Sequence, residues 1–527
     1  MAESSGEVAE RTTRARPSRL KAVANVVVSQ LNTAVVTAGS FVVTPAVLYG
    51  LGDSGYGGWL LITSFIGYMR LLDLGTSAGT VKFGAGAQER GDSAGLARVM
   101  NTSAAVFLAI GGAAVLVTLG LTVLFSAIYP SVGAKQNATI LTLGAAMVID
   151  LCLRPFSAAL RMRSLYFVHD AIELSTYVVF KLGLVLYCAY NNLLSYHVLA
   201  LLTLGETGAR MLLVAAAAIV ANPAARRINP LRAERAMVRK LASMGFAVSI
   251  IVVADIVRFQ LDAGVIGYFI PSSPESIAVF GVGTRLASTA FAALGVIGSV
   301  LMPRFSGLVE TGDKEGTKRL LERASRATGF ASAFLLVNVA VLGPHFLALW
   351  LHKPWIPTSA KILLIVLPAY YVALLSTPAA ALLMGRGQLR GLTVLTVTEA
   401  VANLLLSVLL VRPFGIIGVA FGTAIPLAIF RGVLFPLLLQ AQVGLSPKEY
   451  ARMHAPAVLV GTAYLVMVGG LAFVPLPSYT RFFGLGIAST AVFACLAITG
   501  IPELRAALLS RLPRSRGGAP DPNHTEV

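Results

Sequence analysis

Apolar and polar positions alternate along this chain on the scale of whole helices rather than of single turns. Long apolar runs recur from end to end, and many reach the roughly 20 residues that a bilayer-spanning helix needs. Fourteen such segments are predicted, at about 22–48, 55–82, 101–129, 138–160, 168–190, 195–221, 241–270, 276–302, 327–351, 360–384, 391–411, 415–439, 453–475 and 482–501. Several exceed the bilayer thickness, which implies tilt or extension beyond it. Pro368, Pro378, Pro426 and Pro436 interrupt the tenth to twelfth segments and predict kinked helices there.

Composition leads to the same class. Of 527 residues, 56% are hydrophobic and 13% charged, against about 25% charged in soluble domains. That much apolar surface has to face lipid, so the chain is an all-α polytopic membrane protein. Cys152, Cys188 and Cys495 sit singly in apolar runs and read as packing residues, and the six histidines show no spacing such as HExxH. No metal and no cofactor is expected. The first twenty or so residues are polar, unlike a signal peptide, and the last stretch, "RLPRSRGGAPDPNHTEV", is Pro/Gly-rich and reads as disordered.

Basic residues set the orientation. With the N-terminal tail, the loops after even-numbered spans and the C-terminal tail on one side, that side collects 30 of the 42 Lys and Arg; the other has five. Cytoplasmic loops carry this excess, so both termini are expected in the cytoplasm. The net charge of +18 follows from the same bias. Its basic residues are dispersed over loops beside lipid headgroups, which makes membrane lipids the expected partner and excludes nucleic acid.

Two of those loops share a short polar sentence: "ERGDSAGLAR" at Glu89–Arg98 and "ETGDKEGTKR" at Glu310–Arg319. They agree at five positions of ten. Six spans separate them, an even number, so both copies face the same way. Short loops also reuse Gly-Asp turns by chance, but the corresponding positions favour duplication. The predicted layout is a cytoplasmic tail (1–21), an N-lobe of six helices (22–221), a basic linker (222–240), a C-lobe of six (241–440), two further helices (441–505) and a disordered tail (506–527). Parallel repeats of this kind belong to transporters that alternate access. Asp92, Arg98, Asp313 and Arg319 in the two loops are candidates for a cytoplasmic gate.

A charge inside the bilayer is costly and faces a cavity or a partner. Arg70/Asp73, Asp150/Arg154, Glu206/Arg210 and Asp255/Arg258/Asp262 are spaced three or four apart and read as pairs along their own helices. Lys181, Arg285, Glu399 and Arg431 lack such a partner, although Lys181 and Arg431 lie where a long side chain snorkels or meets an interface. At about 1.5 Å per residue, Arg285, Arg258 and Arg70 lie roughly 14, 18 and 22 Å from the outer ends of their spans. Arginine stays protonated and offers a planar fork to phosphate oxygens, so such a set suits an anionic headgroup. In the first span Asn25, Ser29, Asn32 and Thr33 form a polar stripe that either lines a water-filled cavity or hydrogen-bonds a neighbouring helix.

The stretch "GDSGYGGWLLITSFIGYMRLLDLGTSAG" at 52–79, above all Tyr56-Gly57 and Leu72-Asp73-Leu74-Gly75, with the Gly-Asp loop and the 6+6+2 span count, resembles the polysaccharide and O-antigen flippases. These belong to the MATE-like multidrug/oligosaccharidyl-lipid/polysaccharide exporter superfamily. The resemblance implies two pseudo-symmetric six-helix lobes around a central cavity, in a bacterial inner membrane. It implies export of a polyprenyl-diphosphate-linked oligosaccharide for surface polysaccharide synthesis, with a polymerase or ligase as partner. By that analogy the diphosphate falls to Arg70, Arg258 and Arg285, and a coupling proton or sodium ion to Asp255 or Glu399.

Two rivals share the superfamily. A cation-coupled multidrug antiporter would use buried carboxylates; the first span has none, but Asp255 and Glu399 keep that reading. A lipid II flippase is the other. A scaffold gains nothing from buried charge in repeated lobes. An enzyme is not expected, since no outer loop is long enough for a catalytic domain and there is no GxxxxGK[ST] phosphate loop.

Overall fold

The computed structural model describes residues 19–73, 75–129, 136–241, 261–270, 274–476 and 478–500. Among them there is no strand. In chain order the helices are α1 (Arg19–Tyr68), α2 (Thr76–Glu89), α3 (Ser93–Ile128), α4 (Asn137–Met162), α5 (Tyr166–Tyr177), α6 (Leu186–Tyr190) and α7 (Tyr196–Ala221), then α8 (Pro274–Glu310), α9 (Lys314–Leu351), α10 (Ile356–Leu375), α11 (Thr377–Gly385), α12 (Leu389–Ile429), α13 (Phe435–Val443), α14 (Pro447–Gly469) and α15 (Tyr479–Gly500). A 3-10 turn, Met69–Asp73, joins α1 to α2, and π-helical segments follow α5 (Val178–Val185) and α12 (Phe430–Leu434).

Eleven helical runs among the described residues are long and apolar enough to cross a membrane, against fourteen segments expected from the sequence. Much of the expected seventh span, including Asp255 and Arg258, lies outside the described residues. Two of the eleven runs hold 63 and 55 residues; as straight helices they would extend about 80–95 Å, far beyond a hydrocarbon core of about 30 Å. Glycines break both. In α1, Gly52 takes φ 74°, ψ 171°, and the Thr44 and Tyr56 side chains hydrogen-bond across the break, although twelve residues of straight helix would separate them by about 18 Å. In α12 the break is Gly415, at φ 57°. Its two arms fold back so tightly that a Cβ on Gly418 would lie 2.0 Å from the Leu410 carbonyl oxygen.

Of the prolines expected to kink helices, Pro368 and Pro426 lie inside α10 and α12, while Pro378 and Pro436 stand in the first turns of α11 and α13. Pro378 follows the turn at Ser376 and Pro436 comes just after the π segment, so both stand where the α-helical ladder is already interrupted. Large apolar side chains such as Leu116, Val123, Leu459 and Val466 are exposed by 70% or more, which is the surface that lipid covers.

The chain divides into two compact units. Unit 1 takes residues 1–285, 354–366 and 389–430, and unit 2 takes 286–353, 367–388 and 431–527. In unit 1 a core of Leu96, Val99, Met100, Ala159, Leu160 and Val214 joins α3, α4 and α7. In unit 2, α9, α14 and α15 pack around Val341, Leu342, Tyr464 and Val468. Tyr464 is fully buried, and its hydroxyl is satisfied by a ring of neutral groups. Asn338 Nδ2 donates to Tyr464 Oη at 2.8 Å, Tyr464 Oη and Ser489 Oγ lie 2.5 Å apart, and Ser489 Oγ donates to Asn338 Oδ1 at 3.0 Å.

Each unit contains one copy of the repeated loop, and its geometry accounts for three of the five shared residues. Gly91 and Gly312 take φ of 68° and 71°, the left-handed conformation that ends the preceding helix. Asp92 and Asp313 then cap α3 and α9, accepting from Gly95 N and Gly316 N at 2.7 Å each. At those glycines a Cβ would lie 2.1 and 2.2 Å from the capping carboxylate. The shared sentence is a helix-stop, helix-start turn built twice.

Candidate functional site

A cavity of about 660 Å³ lies within unit 1. Its walls come from the first arm of α1, the 3-10 turn, α2, α4, α5 with its π segment, and α7. Five basic side chains (Arg70, Arg154, Arg161, Lys181, Arg210) and four acidic ones (Asp73, Asp150, Glu173, Glu206) line it, together with His169.

Most of these charges are matched in pairs across helices rather than along them. Asp150 on α4 accepts from Arg154 Nε and Nη2 at 3.2 and 3.1 Å and from Arg210 Nη2 of α7 at 2.8 Å. Arg154 Nη1 also donates to Asp73. Asp73 in turn receives Ser77 N and Oγ at 3.0 and 2.8 Å, so one carboxylate ties the start of α2 to α4. Lys181 Nζ donates to Thr203 Oγ1 at 2.9 Å and stands 3.4 Å from Glu206 Oε2. Lys181 occupies the π segment, whose wider turn shifts the side-chain register by a fraction of a turn relative to α-helix. Charges in this network are only 15–22% exposed. At that depth an ion pair is strongly favourable only when its remaining donors and acceptors are met.

Several sequence expectations change here. Asp150 and Arg154 pair along α4 as expected. Glu206 and Arg210 do not pair with each other among the described residues; each reaches another helix. Lys181 has two partners on α7 and does not snorkel away from the cavity. Arg431 sits buried in the second π segment, in unit 2. Spacing along one helix could not show these cross-helix partners.

Of the expected headgroup residues, Arg70 lines the cavity, is exposed, and makes no hydrogen bond or ion pair among the described residues. Arg285 is half-buried in unit 1, within electrostatic reach of the Tyr56 and Tyr177 hydroxyls, and Tyr177 lines the cavity. Arg258 and Asp255 lie outside the described residues. Glu399 is fully buried on α12.

The polar stripe of α1 divides by role. Asn25 clamps the turn before α5, donating to Ser164 O and accepting from Phe167 N, both at 2.9 Å. Thr33 donates to Ser29 O at 3.0 Å, and Asn32 Nδ2 donates to Glu173 Oε2 at 3.2 Å. None of the four is among the cavity-lining side chains, but Asn32 holds one that is.

In the cytoplasmic loops Arg98 stands 3.8 Å from Asp92 and 3.9 Å from Glu234, all half-exposed side chains of unit 1. Arg319 is exposed. The linker carrying Glu234 is held to α3: Asn229 N donates to Asn101 Oδ1 at 2.7 Å, and Glu234 N to Thr102 Oγ1 at 3.2 Å.

No protein-family model matches the chain, and no curated protein does. Solved structures do. A multidrug-resistance MATE-family transporter of the MOP superfamily, in its inward-facing conformation, aligns with TM-score 0.67 at 15% identity over 79% of this chain and 98% of its own. The lipid II flippase MurJ, in an inward closed conformation, aligns with TM-score 0.67 at 12% identity over 92% of this chain and all of its own. The chain has the fold of these transporters. A MOP-superfamily transporter from Pyrococcus furiosus, described as having a binding pocket of reversed polarity, aligns with TM-score 0.56 at 15% identity, covering 86% of this chain and 96% of its own.

Proposed function

We propose that this protein is a flippase of the MOP type. It moves a polyprenyl-diphosphate-linked oligosaccharide from the cytoplasmic to the outer leaflet of a bacterial inner membrane, for surface-polysaccharide synthesis, by alternating access. The two six-helix lobes read from the sequence would carry that cycle. A polysaccharide polymerase or ligase would receive the product.

One observation carries the reading. In the cavity the carboxylates are engaged, Asp73 by Arg154 and Ser77, Asp150 by Arg154 and Arg210, Glu206 by Lys181, and Glu173 by Asn32, while the Arg70 guanidinium is not. At Arg70 the charge left to meet a ligand is therefore positive. A guanidinium presents parallel N–H donors to phosphate oxygens, and a lipid-linked diphosphate supplies them while its tail stays in the bilayer. Arg285, and Arg258 from the sequence, would extend the same basic lining.

A second reading, the cation-coupled antiporter, has its own support in unit 1. Asp262 is 6% exposed, with Thr423 Oγ1 donating to its two oxygens at 3.3 and 3.2 Å. With Glu399 and Asp255 it offers carboxylates to a coupling proton or sodium ion.

Removal of the gene separates the readings. The flippase reading expects surface polysaccharide to fall and completed lipid-linked repeat units to accumulate on the inner leaflet, with recovery when the gene is restored. Unchanged polymer and lipid pools would overturn it and put the antiporter first.

A further inference from the structure

We propose that His169, Asp170 and Glu173 form a binding site for a divalent transition-metal ion, of the zinc, cobalt or manganese class, on the cavity wall of unit 1. The three stand on α5 at i, i+1 and i+4, and one ligand atom from each lies within 4.8 Å of the others. Ligands about 2.1 Å from a shared ion stand up to roughly 4.2 Å apart, so small rotations close the group around one. His169 and Glu173 both line the cavity, which gives an ion its path in.

The surroundings are those of a built site. His169 is 5% exposed, with Nδ1 3.3 Å from Asp170 Oδ1, so these two ligand atoms already stand side by side. Asn32 fixes Glu173 through its Nδ2. The oxygen of the same amide, Oδ1, is buried without a hydrogen-bond partner among the described residues. A buried carbonyl left in this state is costly, and turning the amide about its last bond offers an additional oxygen ligand beside Glu173.

Charge balance favours a cation. Arg161 also lines the cavity and acts electrostatically on His169, which opposes binding. Asp170 and Glu173 outweigh it, leaving one net negative charge for a divalent ion to meet. An imidazole with two carboxylates is a mixed nitrogen and oxygen set, which suits zinc, cobalt or manganese better than the all-oxygen preference of magnesium or calcium. The site stands on α5 and α1, in the wall of the cavity that Arg70 also lines.

The test uses the full-length protein in lipid nanodiscs, without a histidine tag, titrated calorimetrically with Zn²⁺ and optically with Co²⁺. One equivalent per chain is expected, bound with micromolar affinity. Glu173→Gln and His169→Gln should each weaken binding at least tenfold, while Asn32→Asp, which adds a carboxylate, should tighten it severalfold. If a weakening variant fails to fold, Asp170→Asn together with the tightening variant reads the same site. Absence of stoichiometric binding in the parent, or unchanged affinity in folded variants, would overturn the proposal.

Discussion

The two units show two ways of meeting the cost of buried polar groups. Unit 2 closes a neutral ring of Asn338, Tyr464 and Ser489, in which each side chain satisfies its neighbours. Unit 1 brings nine charged side chains to one cavity, ties most of them into cross-helix pairs and leaves Arg70 toward the open volume. A neutral ring is sufficient to join helices. A cavity of paired charges, expensive to desolvate, makes sense where an ionic ligand enters. The proposed function accordingly places its ligand in unit 1.

The largest effect is expected at Asp150. Asp150→Ala removes the carboxylate shared by Arg154 and Arg210 and leaves two partly buried guanidiniums facing each other. A loss of about 3 kcal/mol or more is expected, read as a lower apparent Tm in detergent; an unchanged Tm would mean the network is solvated and inert. Arg70→Gln removes a cavity charge that makes no ion pair among the described residues. It should leave the Tm unchanged and reduce affinity for a polyprenyl-diphosphate lipid by about tenfold, the order of one charge-assisted bond, about 1.4 kcal/mol. In the repeated turns, Asp92→Ala and Asp313→Ala should each cost about 1 kcal/mol of helix capping. Similar losses in both, with accessibility of outer-side cysteines unchanged, would identify the loops as turns rather than a gate. The smallest effect is expected in unit 2, where Tyr464→Phe should cost about 0.6 kcal/mol and leave lipid binding untouched.

Hydropathy alone made the helical membrane fold legible, because lipid-facing runs need no specific partner. The fold implied by the resemblance at 52–79 is that of the matching solved transporters, and the structure gives the residues of that stretch local work. Gly57 sits where a Cβ would lie 1.5 Å from the Pro274 carbonyl oxygen. Asp73 holds the start of α2 and Arg154, and Gly75 caps α2 at φ 67°. Of the site, Arg70 was legible from depth and charge. Arg161, Glu173 and His169 were not: Arg161 falls just outside the predicted segment 138–160, and His169 and Glu173 lie within 168–190 with nothing in their spacing to show that they face a cavity. The partners of Lys181, Thr203 and Glu206, stand on α7, and spacing along its own helix does not contain them. Asn25 and Asn32 illustrate the same limit: one polar stripe holds a loop clamp and a cavity support, and only the partner helix separates them.

The central claim is that the uncommitted positive charge in unit 1 takes an anionic lipid headgroup. Its most direct test is the flipping of a fluorescent polyprenyl-diphosphate lipid in proteoliposomes, comparing the parent, Arg70→Gln and Tyr464→Phe at matched reconstitution. The account predicts transport in the parent and in Tyr464→Phe, and a drop of about tenfold in Arg70→Gln. Equal rates in all three, or no transport above protein-free vesicles, would contradict it.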